Sequence, residues 1–176
     1  MKKFIMILAF LSSQTSFAHR PSDAFLTLKK AKTQLTGSWD IALKDLEFAL
    51  GVDQNLDGKI TWGEVQNSSE QIAGYASAHL KFSSAEGDCG LSTGSMLVNQ
   101  RNDGGYASIP FSVQCPKEAE LITVKYDLLF DLDSQHRGLL YYSAKHVTKT
   151  FVFSSTRMLI PSPPLSLPPR SYPPQQ

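Results

Sequence analysis

Asp53-Gln54-Asn55-Leu56-Asp57-Gly58-Lys59-Ile60-Thr61-Trp62-Gly63-Glu64 has the spacing of an EF-hand calcium loop. Asp53, Asn55 and Asp57 place side-chain oxygens at loop positions 1, 3 and 5. Gly58 at position 6 permits a sharp turn that a Cβ would resist. Lys59 at position 7 needs only its backbone carbonyl, so its ammonium can point to solvent. Ile60 is apolar, as suits a residue packing inward from the loop, and Thr61 at position 9 can act through a water. Glu64 at position 12 can close the shell with both carboxylate oxygens. Oxygens from one short turn suit a hard cation that takes about six to eight of them. By chance, so many specified positions arise in a chain of this length on the order of once in 10⁴. The competing reading is an acidic Asx-turn ahead of a helix. The loop supplies three carboxylates, Asp53, Asp57 and Glu64, and no second loop of this pattern occurs in the sequence.

Outward from the loop, Asp45–Val52 predicts a short helix on one side, with Leu46, Phe48, Ala49 and Leu50 available to pack it. Trp62–Leu80 predicts a helix on the other. Val65, Ile72, Ala76 and Leu80 fall near one of its faces, and Gly74 weakens its middle. Before the helices, Ala24–Lys30 and Thr33–Leu43 predict two strands around a short turn, with Trp39 as a core anchor. After them, Ser95–Asn99, Gly105–Cys115, Glu120–Phe130, Gly138–Ala144 and Thr148–Phe153 are strand candidates. Turn signals at Glu86-Gly87-Asp88, Asn102-Asp103-Gly104-Gly105 and Cys115-Pro116 separate them. The expected fold class is mainly β with an α insertion. It is an antiparallel β-sandwich over 19–156 carrying an EF-hand-like helix–loop–helix at about 45–80.

The two ends of the chain differ from this middle. Lys2 and Lys3, the apolar run Phe4–Leu11 and Ser16-Phe17-Ala18 form a signal peptide over 1–18, too short in its apolar part to span a bilayer comfortably. Cleavage after Ala18 leaves His19 as the new terminus of an exported chain, periplasmic or secreted. Residues 157–176 are rich in proline, which removes backbone donors, and read as a disordered, polyproline-like tail. No further stretch is long enough for a transmembrane helix. The net charge is +1 with Lys and Arg scattered, which gives no footprint for nucleic acid. Cys89 and Cys115 in an exported chain predict a disulfide. Neither has a second ligand at zinc-binding spacing.

Three blocks together resemble a known family. They are Ala18-His19-Arg20-Pro21-Ser22-Asp23, the run from Trp39 through the calcium loop, and Phe130-Asp131-Leu132-Asp133-Ser134-Gln135-His136-Arg137-Gly138-Leu139-Leu140. In this order they resemble the exported N-terminal domain of HupE/UreJ-type membrane proteins, hydrogenase or urease accessory proteins. The resemblance covers about His19 to Phe153. It implies a membrane part thought to move nickel or cobalt, and so a membrane metal transporter or accessory protein as partner. In the family a polytopic membrane domain follows. Here the proline-rich segment follows instead, so the chain is expected to be the soluble domain without its transporter.

No nucleophile elbow or glycine-rich phosphate loop is present, and no enzyme is expected. Asp131, Asp133, His136 and Arg137 crowd one turn. The plain reading is a connection between strands, with Asp accepting backbone hydrogen bonds and Arg137 pairing with a carboxylate. The sharper one is a second metal site. The α-amine and imidazole of His19, with His136 and Asp133, would take Cu2+ or Ni2+. The expected function is therefore non-catalytic calcium binding in a structural or docking role. The alternative is an accessory domain for handling nickel, cobalt or copper.

Overall fold

The computed structural model describes residues 22–31, 34–116, 122–144 and 147–161. The signal stretch 1–18, His19, His146 and residues 162–176 of the tail lie outside them. Strands β1 (Asp23–Ala31) and β2 (Gln34–Ala42) pair as an antiparallel hairpin. Helix α1 (Leu43–Leu50), a loop, and helices α2 (Trp62–Asn67) and α3 (Ser69–Ala78) follow. Then come β3 (Leu80–Ser84), β4 (Gly87–Thr93), β5 (Leu97–Arg101), β6 (Gly104–Gln114) and β7 (Ile122–Tyr126). The last three are β8 (Arg137–Ala144), β9 (Val147–Phe153) and β10 (Leu159–Pro161).

The mainly β class is as expected, but the strands join one continuous ladder. Its order is β10-β7-β3-β4-β6-β2-β1-β8-β9, with β5 also on β6. The two ends of that ladder, β9 and β10, are joined by a tight turn in which Ser154 and Arg157 exchange backbone hydrogen bonds. The sheet therefore curls nearly closed, like a barrel. Nor is it wholly antiparallel, because β1 and β8 run parallel from Asp23↔Arg137 to Lys30↔Ala144. A parallel pair needs a long crossover, and here most of the domain lies between the two strands. The first rung is pinned by Arg137, which donates from both Nε and a terminal nitrogen to Asp23, at 2.8 and 2.9 Å.

Alternation along the strands fills the interior. Leu26 and Leu28, Trp39 and Ile41, Ile109 and Phe111, Val124 and Tyr126, and Leu140 and Tyr142 are all buried there. Trp39 is the anchor its sequence suggested.

Several boundaries differ from expectation. The single helix over Trp62–Leu80 is two, broken at Ser68 (φ −93°, ψ 3°) rather than at Gly74. Asn67, Ser68 and Ser69 are poor helix formers because their side chains compete for backbone partners, and the Ser68 hydroxyl accepts from Gln54. The β3–β4 hairpin was not among the expected strands, and β10 lies inside the expected tail, paired with β7. Strand β7 stops at Tyr126, short of Phe130. Leu129 takes a left-handed φ of 61° in the turn that follows.

Candidate functional site

The calcium-type loop lies between α1 and α2, bounded by two distinct helix ends. α1 closes on Gly51 in the left-handed conformation (φ 67°), whose N–H donates to the Glu47 carbonyl at 2.8 Å. α2 opens on a reciprocal cap. The Thr61 N–H and hydroxyl donate to Glu64 Oε2 at 2.8 and 2.7 Å, and the Glu64 N–H faces the Thr61 hydroxyl. Thr61 is thus the N-cap of the outgoing helix, a role its loop position alone did not suggest.

Within the loop, the side-chain oxygens converge on the backbone. Asp53 accepts the N–H of Asp57 on Oδ1 (3.2 Å) and of Gly58 on Oδ2 (2.7 Å). Asn55 Oδ1 accepts the same Asp57 N–H at 2.9 Å, and Asp57 Oδ1 accepts Lys59 N–H at 2.8 Å. Gly58 carries φ 79°, and an added Cβ would meet nothing, so backbone conformation alone calls for glycine there. Lys59 points to solvent and Ile60 packs on the core, both as read from sequence.

Asp53 and Glu64 are buried acids, each 7 % exposed. Hydrogen bonds from Thr61 hold the Glu64 carboxyl below its ordinary value, against the opposing effect of burial and with a lesser pull from the Asn55 and Gln54 N–H groups. Its other oxygen, Oε1, is buried with no hydrogen-bond partner. Such a carboxylate oxygen, with only the pull of the Asn55 and Gln54 N–H groups upon it, is costly to bury unless something more electropositive completes it. Each Asp53 oxygen also keeps a lone pair beyond the one used on the loop. The donor set is all oxygen, which suits calcium rather than a softer ion. Among the described residues, no group of three or more His, Cys, Asp or Glu side chains is gathered to hold a metal ion. Asp53, Asp57 and Glu64 are thus not gathered into one three-carboxylate group.

A second cluster of polar groups lies inside the barrel. His136 is fully buried. Its Nδ1 is hydrogen-bonded to the Ser22 hydroxyl, and its Nε2 meets the Tyr126 hydroxyl at 2.6 Å. Ser22 also bonds the Asp45 carboxyl on α1, and Tyr126 packs against Trp39 with ring centroids 5.5 Å apart. Burial pushes Asp45 up, drives Tyr126 well above its usual range, and lowers His136 to about 4. The imidazole is therefore neutral. One direction runs through the whole series of bonds: Tyr126 donates to Nε2, Nδ1–H to Ser22, and Ser22 to Asp45, whose Oδ2 is buried without a hydrogen-bond partner.

Two residues of the expected second metal site, His136 and Asp133, have other partners here. Both nitrogens of His136 are engaged, so neither is free to ligate while these bonds hold. Asp133 accepts the Gln135 N–H at 2.8 Å, and Arg137 pairs with Asp23, as the plain reading of that turn supposed. His19 lies outside the described residues.

No protein-family model matches the chain, and no curated protein is significantly similar to it. Residues from three separate stretches of the sequence meet in the fold. Ser22 and Asp23 meet His136 and Arg137, and Asp45 joins them from the stretch between, on α1. Sequence reading passed over Ser22, Asp45 and Tyr126, because each alone resembles a terminus, a helix-start acid or a strand aromatic. The Cys89–Cys115 disulfide is present. It extends the β4–β6 register by one rung beyond Gly90↔Gln114. No helix among the described residues is long and apolar enough to cross a membrane.

Proposed function

We propose that this chain is a non-catalytic calcium-binding module acting outside the cytoplasm, with Asp53, Asn55, Asp57, the Lys59 carbonyl and Glu64 as ligands. The observation that carries the reading is the buried, unpartnered Oε1 of Glu64 beside a second buried acid, Asp53, in one short loop. Calcium supplies the positive charge that these oxygens lack. An unpaired loop with three carboxylates binds weakly, with a Kd of roughly 10⁻⁴–10⁻³ M, as in extracellular modules. The role is then structural, fixing α1 and α2 against the barrel. The predicted signal peptide and the disulfide support export. The three-block likeness supports a place beside a membrane partner of the HupE/UreJ type.

Calorimetric titration of the chelator-stripped chain tests this. Calcium binding in that range with a raised Tm is expected, and Glu64→Gln should weaken it at least about tenfold. A parent that gives no heat and no Tm shift, or a Glu64→Gln variant that titrates like the parent, would sink the assignment. Tight copper or nickel binding without a calcium response would move the chain to transition-metal handling.

A further inference from the structure

Helix α1 ends against its own electrostatic preference. Its last turn holds Glu47 and no basic residue, where the aligned carbonyls favour a cation. The Glu47 carboxylate turns beyond the helix end. Its Oε2 accepts the backbone N–H of Asp53 at 2.6 Å. The carbonyl of the same residue accepts the Gly51 N–H. Glu47 thus holds both ends of the Gly51–Asp53 segment that joins the helix to the first loop acid. The Asp53 side chain reaches the other way, onto the N–H groups of Asp57 and Gly58. Its main chain is fixed from behind and its carboxylate from ahead.

Charge adds to this geometry. Asp53, Asp57 and Glu64 already share one short loop, and Glu47 brings a fourth carboxylate against its first residue. Crowded like charges repel, and a cation among them removes the repulsion.

We propose that Glu47 is a positioning residue of the calcium centre. It holds the Asp53 backbone in the orientation that aims the carboxylate at the ion, and its charge strengthens the pull without touching the ion. This rests on the calcium reading above.

Two variants separate the parts. Glu47→Gln keeps an acceptor oxygen and removes the charge, while Glu47→Ala removes both. Calcium titration should show Glu47→Ala weaker than the parent by about tenfold to a hundredfold, the span usual for groups that orient a metal ligand. Glu47→Gln should fall between them. By NMR, the Asp53 amide proton should move upfield in Glu47→Ala and stay near its parent position in Glu47→Gln. In chelator, the Tm of Glu47→Gln should not drop, because removing a crowded charge relieves repulsion; a merely structural residue would lower it. A parent that binds calcium beside a Glu47→Ala variant that binds equally well overturns the role of Glu47 alone. So does a Glu47→Gln variant as weak as Glu47→Ala. A parent indifferent to calcium overturns both this role and the calcium reading.

Discussion

The Tyr126 hydroxyl and His136 Nε2 stand 2.6 Å apart inside the barrel, both fully buried, and the two rings stack with planes 10° apart. This contact ties the end of β7 to the turn before β8. It also makes stability depend on pH. Burial lowers His136 from 6.5 to about 4, with Asp133 and Asp23 pulling weakly the other way. Below pH 6.5 the unfolded chain takes a proton that the native state refuses, so stability falls with acid until about pH 4. The full window amounts to about 3 kcal/mol, of which about 2 kcal/mol is lost by pH 5. Asp45 works with opposite sign. Burial raises its carboxyl, so the native state protonates before the unfolded chain does, and acid acting through Asp45 favours the fold. Urea melts between pH 6.5 and 5 should show the His136 slope. His136→Gln should lower stability at pH 7 but flatten it, and an unchanged slope would show that His136 is not its source.

Two glycines mark where the sheet has no room. A Cβ on Gly138 would lie 2.7 Å and 2.8 Å from atoms of the Tyr126 ring, the ring that meets His136. Gly138→Ala should cost about 1–3 kcal/mol as that ring is displaced. At Gly37 the Cβ would strike the Thr27 carbonyl oxygen of the paired strand as well as the Phe111 ring. A ladder oxygen cannot rotate away, so Gly37→Ala should cost about 3 kcal/mol or more. Equal Tm values for the two variants would contradict this ranking.

The loop was legible because its chemistry is local. The Asp53, Asn55 and Asp57 spacing, Gly58 and the inward Ile60 all sit within one turn of chain, and the alternation around Trp39 marks its strand just as locally. Strand β4 was hidden for the opposite reason. Gly-Asp-Cys-Gly-Leu-Ser-Thr is mostly exposed, and what makes it a strand is the ladder to β3 and β6. The polar centre was hidden too. Ser22, Asp45, Tyr126 and His136 come from four elements, and only the parallel pairing of β1 with β8 brings Ser22 to His136. The break at Ser68 was a matter of competition, since Gly74 was the weaker helix former on paper but has open space around it.

The disulfide should matter more than its half-buried setting at the edge of the core suggests. Cys89 and Cys115 close a loop with a sequence separation of 26, which in the chain-entropy picture stabilises by about 3 kcal/mol. Much of the enclosed chain is the exposed β4–β5 region, which buries little apolar surface of its own. Reduction, or Cys89→Ala with Cys115→Ala, should lower the Tm by several degrees. Intact mass without reductant should be two hydrogens below the reduced chain. A Tm unmoved by reductant, with thiols shown to be free, would count against this role.

Leu56 offers the opposite change, a gain. It occupies the left-handed region at φ 60° and is 84 % exposed at the fourth position of the calcium-type loop. A leucine there bears a steric cost of about 1 kcal/mol against its own Cβ, with little burial to offset it. Asparagine tolerates the same conformation and keeps the chain less free when unfolded than glycine would. Leu56→Asn should therefore stabilise the protein by roughly 0.5–1 kcal/mol. Calcium affinity should hold or rise, since the neighbouring backbone hydrogen bonds, three to carboxylates and one to the Asn55 amide oxygen, involve other residues. Chemical denaturation in chelator, followed by titration with calcium, reads both effects. A variant less stable than the parent would mean that the exposed leucine makes a contact that asparagine cannot.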